Sequence, residues 1–313
     1  MLAYLIRRVL ATIPVVLLVA LFVFSLLYIA PGDPAAIIAG DQATPADVDR
    51  IRASLGLDRP FLIRFFDWLW HVMQGDLGTS IFTNLPVQHM IAQRIEPTLS
   101  LMVLTLILSL STAIPMGVIA AWKHGSFLDR FIMMVAVFGY STPVFVVGYL
   151  LAYIFALQLD WLPVQGFTSI SEGLGPFLRN LILPAVALGL IYMALIARIT
   201  RAAMLDVLSQ DYVRTAKAKG VAQSGILFVH ALKNAAVPIV TVVGIGFATL
   251  IGGAVVTESV FAIPGLGRLT VDAILRRDYP VIQGVVLLFS FVYVVVNLIV
   301  DLLYTVFDPR IRY

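Results

Sequence analysis

Six long apolar runs constrain this chain more than any other feature, because each is long enough to cross a lipid bilayer. They cover residues about 9–30, 99–121, 131–157, 181–200, 235–257 and 281–306. A helix of about 20 apolar residues spans a hydrocarbon core roughly 30 Å thick. The runs are continuously apolar, whereas the strands of a membrane barrel alternate apolar and polar residues. With 60% hydrophobic and 12% charged residues, the chain is predicted to be an all-α polytopic membrane protein with six transmembrane helices.

The first run is expected to remain in the mature protein as a transmembrane helix. Its apolar region of about 22 residues exceeds the roughly 7–15 of a secretory signal. No convincing small-residue cleavage site precedes Pro31, and cleavage near Ala35 and Ala36 is the alternative. The chain has no cysteine, which excludes disulfides and thiolate metal sites.

The charged residues are distributed unevenly between the segments that separate the runs. If the N-terminus is inside, the cytoplasmic segments carry 12 of the 21 Lys and Arg residues but only 5 of the 18 Asp and Glu residues. Short cytoplasmic segments of membrane proteins are enriched in Lys and Arg. The bias therefore predicts a multi-pass protein whose N- and C-termini are both cytoplasmic.

The segment 31–98, between the first two runs, is predicted to be a structured external insertion. Thr44-Pro-Ala-Asp47 has the pattern of a helix start, with an N-cap Thr, Pro at the first helical position and an acid three residues on. Gly56 is a typical helix stop. A second helix, Phe61–Met73, is rich in aromatic residues. Such a helix favours the membrane interface, and a docking surface for an external partner is the alternative.

The segment 201–234 is a polar, basic interruption between the fourth and fifth runs. It predicts a short helix that ends near Gly220, a break, and a second helix leading toward Pro238. A loop made basic only to set topology is one interpretation. However, about 35 residues is long for a connection that usually takes two to eight. The small residues Ala216 and Gly220 lie one turn apart and would permit close approach to another surface.

This segment resembles the cytoplasmic loop signature of ABC importer permeases, which is Glu-Ala-Ala, three residues, Gly, nine residues and Ile-x-Leu-Pro. Aligned on Gly220, the chain matches that pattern at Ala216, Gly220 and Leu232. It departs from it at four positions: Arg214 for Glu, Thr215 for Ala, His230 for Ile and Lys233 for Pro. These departures are typical of the dipeptide, oligopeptide and nickel branch of the family.

Further motifs extend the resemblance over nearly the whole chain. They are Pro31-Gly-Asp-Pro34, Leu55-Gly-Leu-Asp-Arg-Pro60, Gly75-Asp-Leu-Gly-Thr-Ser80, Glu258-Ser-Val-Phe-Ala-Ile-Pro-Gly-Leu-Gly267, Arg277-Asp-Tyr-Pro280 and Asp308-Pro-Arg310. The chain is similar, in order and spacing, to the B-type permease subunit of peptide-class importers. The resemblance implies a type I ABC importer permease fold in a bacterial cytoplasmic (inner) membrane. It divides the chain into the first helix with its periplasmic segment, residues 1–98, and a transmembrane domain, residues 95–306, which contains the coupling loop 201–234.

The resemblance also implies how such a chain is driven. The sequence contains no Gly-x4-Gly-Lys-Ser/Thr phosphate loop, so ATP and Mg are expected on partner ATPase subunits and no cofactor on this chain. The expected partners are a second homologous permease chain forming a heterodimer, two ABC ATPases (alike or different), a solute-binding protein and the lipid membrane. The residues assigned to ATPase coupling are Arg214, Thr215, Ala216, Lys217, Lys219, Gly220 and Leu232.

Polar and small residues within the runs are candidates for the translocation pathway or for helix packing. Tyr140, Ser141 and Pro143 interrupt the third run, where Pro frees a backbone carbonyl; a structural kink and a pathway lining are both open. Gly244 and Gly246 in the fifth run suit close helix packing, near the pore or elsewhere.

No signature of catalysis, metal binding or nucleic-acid binding accompanies these features. The four histidines are scattered without metal-ligand spacing, and no Gly-x-Ser-x-Gly nucleophile motif occurs. An ion-driven secondary transporter is the alternative, but no internal repeat and no chain of intramembrane carboxylates is visible. The predicted function is a permease half for a small solute. Di- or oligopeptides are the default for the branch, and nickel, glutathione and other solutes use the same permease type.

Overall fold

The computed structural model describes residues 2–29, 33–39, 43–54 and 56–307, and the regular structure within these ranges is helical. The motif residues Pro31, Gly32, Leu55 and 308–310 lie outside the described residues. In chain order the helices are α1 (Leu2–Ile29), α2 (Pro34–Ala39), α3 (Pro45–Ser54), α4 (Phe61–Met73), α5 (Val87–Trp122), α6 (Phe127–Ser141), α7 (Val144–Leu151), α8 (Leu174–Leu208), α9 (Asp211–Ala218), α10 (Leu232–Asn234), α11 (Ala236–Val260), α12 (Leu266–Arg276) and α13 (Tyr279–Phe307). Two π-helical turns, Ala152–Gln158 and Gly225–Ala231, and a 3-10 turn, Ile170–Glu172, lie between them.

Five of these helices, α1, α5, α8, α11 and α13, are long and apolar enough to cross a membrane. The helix α6 and the segment Val144–Gln158, which is α7 with the π turn that follows it, together make a sixth candidate span, bent by 104° at the break between them. The six predicted apolar runs therefore fall on five continuous helices and one broken helix.

The chain divides into two compact units. The first consists of Met1–Arg94 with Leu269–Val294, and the second of Ile95–Arg268 with Val295–Tyr313. Both units are built from more than one stretch of the chain.

In the first unit, the predicted start of α3 is confirmed as a reciprocal cap. The Thr44 hydroxyl donates to the Asp47 carboxylate at 2.6 Å, and the backbone N–H groups of the two residues donate to each other's side chains at 3.2 and 3.3 Å. The hydrogen bonds from Thr44 lower the pKa of Asp47. The predicted stop also holds, because Gly56 has the left-handed φ of 61° that glycine tolerates best.

The aromatic helix α4 has the predicted bounds and two apolar faces. One face packs Phe65 against Ala20 and Phe24 of α1, with Leu287 at the edge of the same cluster. The opposite side leaves Leu62, Ile63, Phe66, Trp70 and Met73 exposed. Placement of this exposed side in the membrane interface stays a prediction.

Two sequence motifs in the first unit meet through the buried carboxylate of Asp278. The Ser80 hydroxyl donates to it at 2.5 Å and the Ile81 N–H at 3.2 Å. Both Ser80 and Asp278 are buried. The Gly75–Ser80 and Arg277–Pro280 motifs therefore form one structure, in which the carboxylate is satisfied as a buried charge must be.

In the second unit, α8 is the central helix and packs against α6, α7 and α11. Small residues allow the close approach. A Cβ added at Gly253 of α11 would lie 2.5 Å from Leu188, and one at Gly117 of α5 would lie 2.6 Å from Thr200. Close backbone contact through small residues is the usual way in which membrane helices associate.

Candidate functional site: the 201–234 segment and the broken third span

The 201–234 segment folds as the sequence predicts, into short helices separated by a turn at glycine. The helix α9 ends at Ala218, Gly220 takes a φ of 78°, and the π turn Gly225–Ala231 with α10 leads into α11. Glycine adopts this left-handed backbone at the least steric cost. A Cβ at Gly220 would meet no atom within 4 Å, so any close approach there must come from another molecule.

The inner side of this segment is packed tightly against the helices of the second unit. Val213 of α9 is fully buried, and α9 packs on the π turn. Leu227 and Ala231 of the turn belong to a buried cluster with Met204 of α8. Leu232, assigned to ATPase coupling from the sequence, is half-buried and packs against this same cluster.

The outer side of α9 and the turn after it is polar, basic and exposed. Arg214, Thr215, Lys217, Lys219 and Gly220 are exposed and Ala216 is half-buried. Arg214 lies 3.4 Å from Asp211, an exposed pair of the kind that contributes little to stability. Six of the seven residues assigned to coupling are thus brought together around α9, and Leu232 lies apart from them on the packed side.

A buried ion pair fixes the end of α8 that leads into this segment. Two nitrogens of the Arg201 guanidinium donate to the Asp129 carboxylate at 2.6 and 2.8 Å, and His124 Nδ1 lies 3.3 Å from it. The Gly125 N–H donates to the same carboxylate at 3.0 Å. From the sequence, Arg201 and Asp129 are predicted only to be two of the cytoplasmic charges that set the topology. The signal that could have found the pair is an acid placed beside the Ser126 N-cap of α6, directly before an apolar run.

The third span is broken at the predicted position, and the break is larger than a proline kink. The helix α6 ends at Ser141, Pro143 precedes α7, and the two axes differ by 104°. The Thr142 N–H and hydroxyl both donate to the Phe138 carbonyl, at 3.2 and 2.8 Å, and close the last turn of α6. Tyr140, Ser141 and Pro143 are exposed, so the chain leaves them open to a lumen or a neighbour, and their role as pathway residues stays a prediction.

The glycines of the fifth span serve helix packing within this chain. A Cβ at Gly244 would lie 2.6 Å from Val300, and one at Gly246 would overlap the ring of Tyr192. The buried Tyr192 ring is held there because its hydroxyl donates to the Val243 carbonyl at 2.6 Å. Of the two roles that the sequence left open for Gly244 and Gly246, the contacts of this chain account for packing.

Among the residues that the structure describes, no group of three or more His, Cys, Asp or Glu side chains could hold a metal ion.

Comparison with known proteins finds relatives over nearly the whole length of the chain. Residues 1–102 match the family described as binding-protein-dependent transport system membrane component, N-terminal, and residues 113–313 match the binding-protein-dependent transport system inner membrane component family. The chain is 56% identical to a probable peptide ABC transporter permease of Sinorhizobium fredii, over 99% of both chains. It is 44% identical, over the full length of both chains, to the glutathione transport system permease protein GsiC of Salmonella typhimurium.

A solved structure shares the fold at low sequence identity. The inward-facing MetNI methionine ABC transporter contains a chain that is 16% identical, with a TM-score of 0.59. The match covers 70% of this chain and 96% of that one. The likeness shows the fold of a type I ABC importer permease.

Proposed function

This chain belongs to the family of binding-protein-dependent transport system inner membrane components, and from that premise we propose that it forms half of a peptide translocation pathway. It is a permease component of an ABC importer. The proposal adds the substrate class, the contact that drives transport and the make-up of the complex.

The contact that drives transport is the exposed side of α9. This side presents Arg214, Lys217 and Lys219 around the open position at Gly220, whereas Val213 on the other side is fully buried. A segment with one packed and one free face can move with the spans as a rigid body when a partner pushes it. We assign the free face to an ATPase subunit, which binds ATP and Mg, so this chain needs no nucleotide site.

The complex contains a sister permease, two ATPases and a binding protein that delivers the solute. One chain supplies five continuous candidate spans and one bent pair of helices, and Tyr140, Ser141 and Pro143 beside the bend are exposed. A second, homologous permease opposite these residues would close the pathway. With α9 on the ATPase side, both termini lie in the cytoplasm. The solute is a small peptide, in keeping with the peptide and glutathione permeases that the chain resembles.

The test uses the absence of cysteine from the chain. We would place a single cysteine at Lys217 or Lys219, assemble the transporter with its ATPases, and measure the rate of maleimide labelling. The assigned contact predicts fast labelling of the chain without ATPase and strong protection in the complex. A cysteine at exposed Met73 is the matched control and should label equally in both.

Labelling at Lys217 and Lys219 that is indifferent to the ATPase would refute this contact. The same preparation, reconstituted with the sister permease and binding protein, should take up peptide only when ATP is present. Uptake that depends on an ion gradient instead of ATP would favour a secondary transporter.

A further inference from the structure

A small pocket lies beside the break in the third span, between α6 and α8. Its lining residues are Met133, Ala136, Val137, Tyr140, Ser141, Ala194 and Arg198. We propose that this pocket binds the carboxylate of the transported solute, with Arg198 as its anion-binding residue. The inference rests on the proposed function, because only a chain that transports peptides would bring a peptide carboxylate to this pocket.

The orientation of Arg198 is the first argument. The helices α6 and α8 are antiparallel, since Asp129 pairs with Arg201 at one end and a Cβ at Gly139 would lie 3.5 Å from the Leu190 carbonyl at the other. In this register Tyr140 and Arg198 are offset by about eight residues, or about 12 Å along the helices.

The two side chains nevertheless meet, because helical side chains tilt toward the N-terminus of their own helix. In an antiparallel pair, Tyr140 of α6 and Arg198 of α8 therefore extend toward each other. The Arg198 guanidinium carbon lies 5.5 Å from the centroid of the Tyr140 ring. Arg198 thus points along α8 toward the break at Pro143 and away from the end that carries Arg201.

The lack of a counter-ion is the second argument. Arg201, less than one turn away, is paired with Asp129. In the described part of the chain, the Arg198 guanidinium contacts the Tyr140 ring, and no carboxylate oxygen lies within 4 Å of its nitrogens. Arg198 lies near the end of the predicted run 181–200 that leads into the 201–234 segment, and it is exposed in this chain. Its guanidinium is therefore open to an anionic ligand or to a partner.

The chemistry of the lining is the third argument. The pocket carries a guanidinium, a phenol and the Ser141 hydroxyl, and no acidic side chain lines it. A guanidinium presents two parallel N–H donors that match a carboxylate, and stacking on an aromatic ring limits its rotation. The remaining walls are apolar, with alanines at 136 and 194 leaving the space.

The size of the pocket limits what enters it. Its volume is about 70 Å³, whereas one water needs roughly 10–15 Å³ by a comparable measure. A carboxylate fits, and a whole dipeptide does not. The site therefore holds the free C-terminal group that every unmodified peptide carries and leaves the side chains outside, so it would select peptides without selecting their sequence.

The experiment uses the assembled transporter, with sister permease, ATPases and binding protein, in proteoliposomes. The variants are Arg198→Gln, Arg198→Lys and, as a matched control on the same helix pair, Arg130→Gln, which removes an exposed charge. Uptake of labelled trialanine and of glutathione is measured together with ATP hydrolysis stimulated by the binding protein. We expect Arg198→Gln to lower uptake per ATP about tenfold or more, because the variant loses a charge-assisted hydrogen bond to the solute carboxylate. Stimulated hydrolysis and complex assembly should stay near wild type, Arg198→Lys should retain part of the uptake, and Arg130→Gln should behave as wild type.

Three outcomes would contradict the site. Uptake by Arg198→Gln that equals wild type would show that the arginine takes no part in transport. A parallel fall in uptake and hydrolysis would assign it to the conformational cycle of the transporter instead of the solute. Failure to assemble, restored by lysine, would assign it to a contact with the sister permease. By contrast, if the wild-type transporter takes up neither trialanine nor glutathione in the presence of ATP, that result would contradict the proposed function itself.

Discussion

The carboxylate of Glu258 accepts a hydrogen bond of 2.6 Å from the hydroxyl of Thr98, although 160 residues separate them. Glu258 is fully buried, and its second oxygen accepts the Arg268 N–H at 2.9 Å. Thr98 in turn accepts the Leu266 N–H at 2.7 Å. One buried carboxylate therefore joins α5, the end of α11 and the start of α12 within the second unit.

Glu258→Ala should destabilise the second unit by about 3 kcal/mol, because it leaves buried donors that served a charged acceptor. The measurement is thermal unfolding of the detergent-purified chain, followed by circular dichroism. Glu172→Ala removes an exposed carboxylate and should shift the midpoint little. Equal shifts for the two variants would show that the buried carboxylate is not a structural centre.

Gly246→Ala should destabilise the fifth span by about 1–3 kcal/mol, because the added methyl group overlaps the Tyr192 ring. The matched control is Gly252→Ala on the same helix, where an added Cβ meets no atom within 4 Å. Thermal unfolding should separate the two variants clearly. If Gly246→Ala unfolds at the wild-type temperature, Gly246 does not make a tight contact with Tyr192.

Replacing either member of the Asp129–Arg201 pair should cost on the order of 3 kcal/mol, because the partner is left charged and largely buried. Asp129→Asn and Arg201→Gln are the single changes, and the double exchange Asp129→Arg with Arg201→Asp should recover part of the loss. Arg130→Gln, next in sequence but exposed, serves as control. Single variants that are no less stable than this control would contradict the interpretation of the pair as an anchor for the 201–234 segment.

Two substitutions at Gly220 distinguish backbone conformation from contact with a partner. Asn tolerates the left-handed φ of 78° found there, whereas the β-branched Val does not. If an ATPase approaches Gly220 closely, both variants should insert, yet each should transport about tenfold less per ATP, as 1.4 kcal/mol of lost coupling free energy implies.

The readout for this pair is uptake and ATP hydrolysis in the same proteoliposomes. Wild-type coupling in Gly220→Asn, with a defect only in Gly220→Val, would mean that the glycine serves the turn alone.

The sequence predicts the helices of this fold well because local rules determine them. The membrane requires apolar runs of fixed length, and the Thr44–Asp47 cap and Gly56 stop act within one turn of chain. The same holds for α9, whose end at Gly220 depends on a single left-handed residue. These features can be predicted without information on which residues pack against them.

Long-range contacts set the features that the sequence did not predict. Proline marks the break at Pro143, but the bend of 104° depends on α7 packing against α8 and α11. The carboxylates of Asp129 and Glu258 accept hydrogen bonds from Arg201 and Thr98, which lie 72 and 160 residues away in sequence. No local sequence pattern predicts such pairs. The packed position of Leu232 could not be predicted either, because the loop motif does not specify which residues face the core and which face solvent.

The π turn at Gly225–Ala231 fixes how many residues the chain must have between α9 and α11. Such a turn holds one residue more than an α-helical turn, and each residue of an α-helix rotates its successors by about 100°. Deleting a single residue here would turn the whole of α11 and carry Gly246 off the Tyr192 ring and Gly253 off Leu188. Substitutions on the exposed face of α9 are free of this constraint, so the segment can change its chemistry toward a partner only while its length stays constant.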